Sequence, residues 1–427
     1  MSAVATTPAE VEHSTSPLVR LPWKASIGLG IFAVLAVVLL IVFGRDGKTV
    51  FEFTANGGSA IAPLTIPARP VDIVIAIVAV VLAVVSAVLT RRQIKTPFWY
   101  IAIFALFIIT GFLIWASAGN SNPFYITALL VGTVGASTPY IFGSLGGVIS
   151  ERVGVTNIAI EGQLLAGAFV SALTATATHS AIAGIIAAAA AGVLVSFVLG
   201  AFTIKYWVNQ VIVGVVLNFL VIGLTTFVYQ QVLTTNTALN SFPALQNFNI
   251  PLLSAIPIIG PVLFGQNVIV YLMYVAVVLV TIGLYRTRWG LRLRSVGEHP
   301  QAADTVGINV GRTRFWNVAL AGAIVGIGGS WFTLGDVGPF DANITNGAGY
   351  IALAAVIFGG WHPIRAMFAA LLFGFCTDLQ SAFSTSGSAV PNDFLLMLPY
   401  VVTILAVAGF VGRVRPPAAA GKPYIKS

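Results

Sequence analysis

A single cysteine, Cys376, stands in the 427 residues, so an intramolecular disulfide is excluded and no thiolate set exists to hold a metal. The four histidines, His13, His179, His299 and His362, are scattered without ligand spacing. Asp, Glu, Lys and Arg together make up only 8% of the chain, against about a quarter in a soluble domain. Catalytic signatures are missing as well: no H-E-x-x-H, no Ser-His-Asp set and no pair of carboxylates on one helix is present. The stretch GRDGKT at 44–49 superficially suits a phosphate loop, but Val42 occupies a position that the G-x-x-x-x-G-K spacing reserves for glycine. Neither catalysis nor a bound metal or cofactor is expected of this chain.

What fills the sequence instead is hydrophobic, 58% of it. Twelve apolar runs lie near 25–44, 71–90, 97–118, 125–149, 155–177, 181–204, 211–232, 267–285, 315–335, 349–360, 364–383 and 394–412. Most have the length of about 20 residues that a helix needs to cross the hydrocarbon core. Backbone groups facing lipid must be paired internally, which leaves helices or closed barrels. A barrel would show short segments of alternating polarity, whereas these runs are continuous. The expected fold is therefore all-α, a polytopic transmembrane bundle of about 10–12 segments. The run 349–360 is too short to cross upright and reads as re-entrant or tilted. The first run is longer than a signal-peptide core and no small-residue cleavage pattern follows closely, so it reads as a retained helix.

A net charge of +8 invites a nucleic-acid reading, but the placement of the charge argues otherwise. With the N-terminus in the cytoplasm and the runs alternating, 18 of the 21 basic residues fall inside, and only Arg45, Lys48 and Arg69 fall outside. That bias orients membrane helices, so both termini are expected in the cytoplasm and no nucleic-acid partner is expected. The organisation that follows is a cytoplasmic tail 1–24, extra transmembrane helices 25–120, a core 121–412 whose longest cytoplasmic loop is 286–314, and a cytoplasmic tail 413–427. The outer loop 233–266 carries no charge, and 336–348 is acidic and glycine-rich.

The cytoplasmic loop gathers six arginines, Glu298 and Asp304 around VGEHPQAADTVGIN, residues 296–309. Pro300 suits the first turn of a helix, Ala302, Ala303 and Val306 share a face at helical spacing, and Gly307 is placed to end it. An isolated helix of about two turns is marginal in water. Two readings stand side by side. Flanking arginines pin the segment to the lipid surface and its apolar face is offered to a partner, or the segment packs on the protein's own surface.

Polar residues within apolar runs form a second candidate set. Glu161 reads as one and a half to two turns into its helix, with Asn157 one turn earlier on the same face. Carboxylates at that depth cost about 2.5–3.5 kcal/mol and face the bundle interior or a cavity. A lock onto a neighbouring helix and direct contact with a substrate both fit. Asn218 sits in the middle of 211–232 and leaves the same choice open, since an amide both donates and accepts. Asp378 and Gln380 read as wetted near the end of 364–383. Gly322, Gly326 and Ser330 make a small-residue ladder that permits a tight helix crossing.

The stretch WGLRLRSVGEHPQAADTVGINVGRTRF resembles the cytoplasmic loop of ATP-binding-cassette importer permeases of the branched-chain amino acid and ribose superfamily. Gly297, Ala302, Ala303, Gly307 and Ile308 match that pattern, and Ser295 replaces its usual alanine. SERVGVTNIAIEGQ at 150–163 and NQVIVGVVLN at 209–218 are similar to the nucleoside and simple-sugar branch, with Gln163 where methionine is common. GYIALAAVIFGGWHPIRAMFAALLFG at 349–374 resembles that branch too. The resemblance covers roughly 125–412 and implies a coupling helix built from Gly297, Glu298, Pro300, Ala302, Ala303, Val306, Gly307 and Ile308. It implies further that Asn157, Glu161, Asn209 and Asn218 belong to the substrate pathway. The implied partners are ATP-hydrolysing subunits, a second permease chain and a substrate-binding lipoprotein outside, with ATP hydrolysis on a separate chain in a plasma-membrane assembly. A simple-sugar or branched-chain amino acid permease is the alternative within the superfamily. An ion-coupled secondary transporter, using Glu161 or Asp378, is the alternative from another class.

Overall fold

A backbone run of twenty apolar residues has one economical way to pair its polar groups away from water, and the chain takes it repeatedly. The computed structural model describes residues 23–53, 61–94, 96–120, 122–336, 338–385, 397 and 415–425. Ten helices among them are long and apolar enough to cross a membrane. The tenth run, 349–360, forms only the short helix Ala348–Phe358. The twelfth, 394–412, lies outside the described residues apart from Met397, as does nearly all of the tail 1–24. The chain is a multi-pass helical membrane protein.

It divides into two compact units. The first holds α1 (Lys24–Val37) and most of α2 (Ala68–Arg91) and of α3 (Phe98–Ser117). Leu29, Ala33, Ala79, Ala83, Tyr100 and Phe104 make its core. Ser26 ties α1 to α2 by hydrogen bonds to Ser86 Oγ at 2.9 Å and Thr90 Oγ1 at 2.7 Å. Ile27, Ile31 and Val34 on α1 and Val74, Ile77 and Val81 on α2 stay exposed, as befits helices whose solvent is lipid.

The second unit contains residues 46–68 and everything after 115. Its strands β1 (Lys48–Glu52), β2 (Leu64–Pro67) and β3 (Phe124–Tyr125) form a small sheet in the order β2-β1-β3, and β4 (Phe248–Asn249) pairs antiparallel with β5 (Gly265–Gln266). The helices are α4 (Ile126–Arg152), α5 (Ile160–Thr178), α6 (Ala181–Gly200), α7 (Gln210–Val228), α8 (Val268–Arg286), α9 (Arg288–Glu298), α10 (Pro300–Thr305), α11 (Val310–Gly329), α12 (Ala348–Phe358) and α13 (Pro363–Thr385). α4 runs through the middle, with residues 137–151 all buried. α6 and α11 cross closely, because a Cβ at Gly322 would meet Ser196 and the Gly192 carbonyl. The ladder is thus a packing surface through Gly322 and Gly326, while Ser330 bonds back to the Ile327 carbonyl at 2.6 Å. The end of this unit where α4 stops at Arg152 and α8 at Arg286 is termed the basic end below.

α9 was not anticipated from the sequence, where 286–296 reads as an arginine-rich loop. Burying Gly290, Leu293, Val296 and Gly297 gives it one apolar stripe at helical spacing, and its arginines occupy the remainder.

Candidate functional site

At the basic end, Pro300 starts α10 and Gly307 stops the turn that follows it, as their chemistry dictates. Gly307 takes a φ of +86°, which favours glycine, while its N–H donates to the Asp304 carbonyl at 2.9 Å. The helix is six residues long, and its support comes from below. Ala303 is only 2% exposed and joins the main core. The apolar face therefore divides: Ala303 points into the protein, whereas Ala302 and Val306 (75% exposed) point away from it. Three residues counted on one face by spacing thus serve two different surfaces.

Gly297 and Glu298 join α10 to the rest of the basic end. A Cβ at Gly297 would strike the Arg152 carbonyl. Glu298 Oε1 lies 3.9 Å from Arg152 Nη1, Arg152 Nε donates to the Trp361 carbonyl at 3.0 Å, and the Trp361 indole N–H donates to Glu151. Residues 415–425 complete the arrangement. Ala419 N donates to the Gly297 carbonyl at 2.9 Å and Ala418 N to Glu298 Oε2 at 3.2 Å. Tyr424 donates its hydroxyl to Asp304, and burial together with that carboxylate pushes the phenol pKa up. Arg314, read from sequence as a lipid-surface anchor, is instead 2% exposed and donates from Nη1 to the Lys422 carbonyl at 2.9 Å. A guanidinium buried that deeply needs protein acceptors, and the tail supplies one.

Past Arg152 the chain does not enter a helix at once. Residues 153–159 are irregular and α5 begins at Ile160, so Glu161 lies in the first helical turn rather than deep in a helix, and Asn157 precedes the helix altogether. The physical reason is local: Asn157 Oδ1 accepts from Ala159 N at 3.1 Å, a side-chain turn that competes with helix. Its amide donates to Gln163 Oε1 at 3.0 Å, and Gln163 donates onward to Ser196 Oγ at 2.9 Å.

Glu161 is 1% exposed and fully engaged. Oε1 accepts from Thr345 Oγ1 at 2.6 Å and Gly347 N at 2.9 Å, and Oε2 accepts from Gly349 N at 2.6 Å. These donors stand at the start of α12, where backbone N–H groups have no partner within the helix and the helix dipole favours an anion. Gly347 holds a φ of +85°, and at Gly349 a side chain would run into the Glu161 backbone. Sequence reasoning missed Thr345, Gly347 and Gly349; the one local signal was the pair of glycines flanking Ala348 just ahead of a short apolar helix. Asn218 closes the other side, its Oδ1 accepting from Gly162 N at 2.8 Å and its amide donating to the Ile158 carbonyl at 2.9 Å and Tyr350 Oη at 3.2 Å.

The structure therefore brings Asn157, Glu161 and Asn218 together as inter-segment clasps around the start of α5. Asn209 stands apart at the basic end, where it caps α7 by accepting from Val211 N at 2.9 Å. Its neighbour Gln210 accepts from Thr156 N at 2.6 Å. Asp378 is half-buried and abuts Gly132. Among the described residues no group of three or more His, Cys, Asp or Glu side chains is placed to hold a metal ion.

Comparison with known proteins adds context to this geometry. A family model described as "Branched-chain amino acid transport system / permease component" matches residues 129–407. The chain is similar to the guanosine ABC transporter permease protein NupQ of Bacillus subtilis, 38% identical over 70% of this chain and 97% of that one. It is similar to the nucleoside ABC transporter permease protein NupC of Lactococcus lactis, 40% identical over 68% and 94%. It is also similar to the putative glucose ABC transporter permease protein TsgC13 of Haloferax volcanii, 34% identical over 60% and 78%. The first two organisms each contribute a second, less similar permease protein, NupP at 26% and NupB at 24% identity. No solved structure matches the chain significantly.

Proposed function

The chain belongs to the permease-component family of the branched-chain amino acid type of transport system, and we propose that it forms the translocation pathway of an ATP-driven importer of nucleosides. The observation that carries the substrate is identity of 38% and 40% with permeases named for guanosine and nucleosides, along nearly the whole length of each. The drive comes from a separate ATP-hydrolysing subunit that grips α10 from the cytoplasm of a plasma-membrane assembly. Support lies in the divided surface of that helix: Ala303 holds it from beneath, and Ala302, Thr305 and Val306 remain free for a partner.

A push on α10 has a short physical route inward. Glu298, Arg152, Trp361 and Glu151 are linked in series, and Arg152 leads directly into the irregular segment 153–159. That segment runs into α5, whose first turn carries Glu161, which holds the start of α12. Displacing the α9–α10 junction thus bears on the position of α12, a helix of 11 residues and about 16 Å at 1.5 Å per residue. A half-length helix held by one carboxylate is an economical moving part for alternating access.

The assembly includes a second permease chain and a substrate-binding lipoprotein on the far side. Val216, Phe219, Leu220 and Phe227 of α7 are all exposed, and the pairing of two permease proteins in each of two relatives' organisms supports a heterodimer. A second reading, uptake of a simple sugar, is favoured by the lower identity, 34% and 24%, with two glucose permease proteins of Haloferax volcanii. Proteoliposomes separate these possibilities and the ion-coupled carrier as well. Guanosine uptake that requires the ATP-binding partner and ATP supports the proposal. Uptake driven by a proton gradient alone, or uptake of glucose in preference to guanosine, overturns it.

A further inference from the structure

The loop after α7 and the loop before α12 enclose a cavity of about 700 Å³, away from the basic end. Ligand sites commonly span about 300–1,000 Å³. Its lining includes the aromatic residues Tyr229, Phe242 and Phe340 and the polar residues Thr237, Ser241 and Asp341. Phe340 is 1% exposed and stands edge-on to Phe169 at 5.2 Å and to Tyr229 at 6.1 Å. Asn240 fixes the two loops to each other, accepting from Phe340 N at 2.9 Å and donating to the Phe340 carbonyl at 2.8 Å. Phe340, which backs Tyr229, is therefore held in place before any ligand arrives, which lowers the ordering cost of binding.

The chemistry of the lining is specific. A flat heterocycle stacks on aromatic rings whatever its substituents. Asp341 is exposed and offers a carboxylate, of which Oδ1 already accepts from Ala342 N at 2.7 Å, with the Tyr229 hydroxyl donating to the same group. Its remaining lone pairs suit hydroxyl donors, and a charged acceptor makes the stronger bond. The same charge repels a phosphate. None of the polar residues in the clasps around Glu161 offers such a surface, because they are buried and bonded to each other.

We propose that this cavity is the permease's own nucleoside-holding site, the base resting on the partly exposed rings of Tyr229 and Phe242 and the ribose hydroxyls bonding to Asp341. It selects ribonucleosides over nucleotides and over 2′,3′-dideoxynucleosides. The proposal rests on the nucleoside reading above.

The test is labelling of Ser241→Cys in the full-length chain within its assembled complex. Ser241 is exposed, and this chain's one native thiol, Cys376, is buried, so maleimide incorporated into this chain, read after separating the subunits, reports on the cavity. Guanosine is expected to slow labelling, guanosine monophosphate to leave it unchanged, and 2′,3′-dideoxyguanosine to need roughly tenfold more for the same protection. Adding Asp341→Asn raises the guanosine requirement roughly tenfold and erases the preference over the dideoxy compound. Thr237→Cys serves as the second probe if Ser241→Cys disturbs assembly. Equal labelling with and without guanosine at both positions, in a complex that imports guanosine, overturns the site and leaves the transport reading standing. A wild-type complex that imports no nucleoside defeats that reading instead.

Discussion

Replacing Glu161 by alanine strips the acceptor from three donors at once, Thr345 Oγ1, Gly347 N and Gly349 N. A buried donor left unpaired costs about 1–3 kcal/mol, and a site 1% exposed admits no easy replacement by water. Removing the carboxylate also relieves its own desolvation, so the lower part of the summed range applies, about 4 kcal/mol. Glu161→Gln keeps one acceptor oxygen but turns an NH₂ group toward a backbone N–H, for about 2 kcal/mol. With an unfolding entropy of about 2.1 cal/mol/K per residue, a chain of this length loses about 1 °C per kcal/mol. The alanine variant should then melt about 4 °C lower and the glutamine variant about 2 °C lower. Intrinsic fluorescence on heating, in detergent, reads both shifts. A double-mutant cycle with Thr345→Val adds a coupling energy of about 1.5–3 kcal/mol. Unchanged Tm in both variants together with a strictly additive cycle would refute the clasp and return Glu161 to the substrate pathway.

Asn218→Leu breaks two hydrogen bonds that join α7 to the start of α5 and a third to Tyr350 of α12, so the yield of assembled protein should fall; normal assembly with altered substrate affinity would contradict the clasp. Gly297→Val forces a side chain against the Arg152 carbonyl and is expected to abolish uptake, whereas Ala419→Pro removes only the donor to Gly297 and should weaken coupling partially, as measured by uptake per ATP hydrolysed. His362, between α12 and α13, has its pKa lowered by burial first and then by Arg365 and Arg152. The unfolded chain therefore binds more protons there, so its contribution is complete above about pH 6.5 and fades as pH falls toward the lower folded value. His362→Gln should flatten the loss of thermal stability on the acid side, and an unaltered pH profile would exclude that cause.

The helices were legible because apolar length alone specifies them, and their ends lie within a few residues of the predicted runs. α10 was legible from Pro300 and Gly307. Which side of it faces outward was not, since spacing defines a stripe but not what covers it, and Ala303 proved to be packed inward. The position of Glu161 was misjudged because Val155 and Ile158 extend the apolar run through a segment that Asn157 turns. Its partners Thr345, Gly347 and Gly349 lie nearly two hundred residues away, beyond the reach of any local pattern. The bond between Ala419 and Gly297 is likewise a tertiary fact. What the sequence does carry there is composition, small residues on both strands of the contact, and that becomes meaningful only once the two segments are adjacent.

Val306, 75% exposed on the outer side of α10, is the position from which the central claim is tested most directly. A Val306→Cys chain, treated with a short bifunctional cross-linker in native membranes, should be captured together with a nucleotide-hydrolysing subunit, and Val306→Arg should abolish both capture-competent assembly and ATP-dependent guanosine uptake. Uptake undiminished in the arginine variant, with no such subunit cross-linked, would contradict the account at its root.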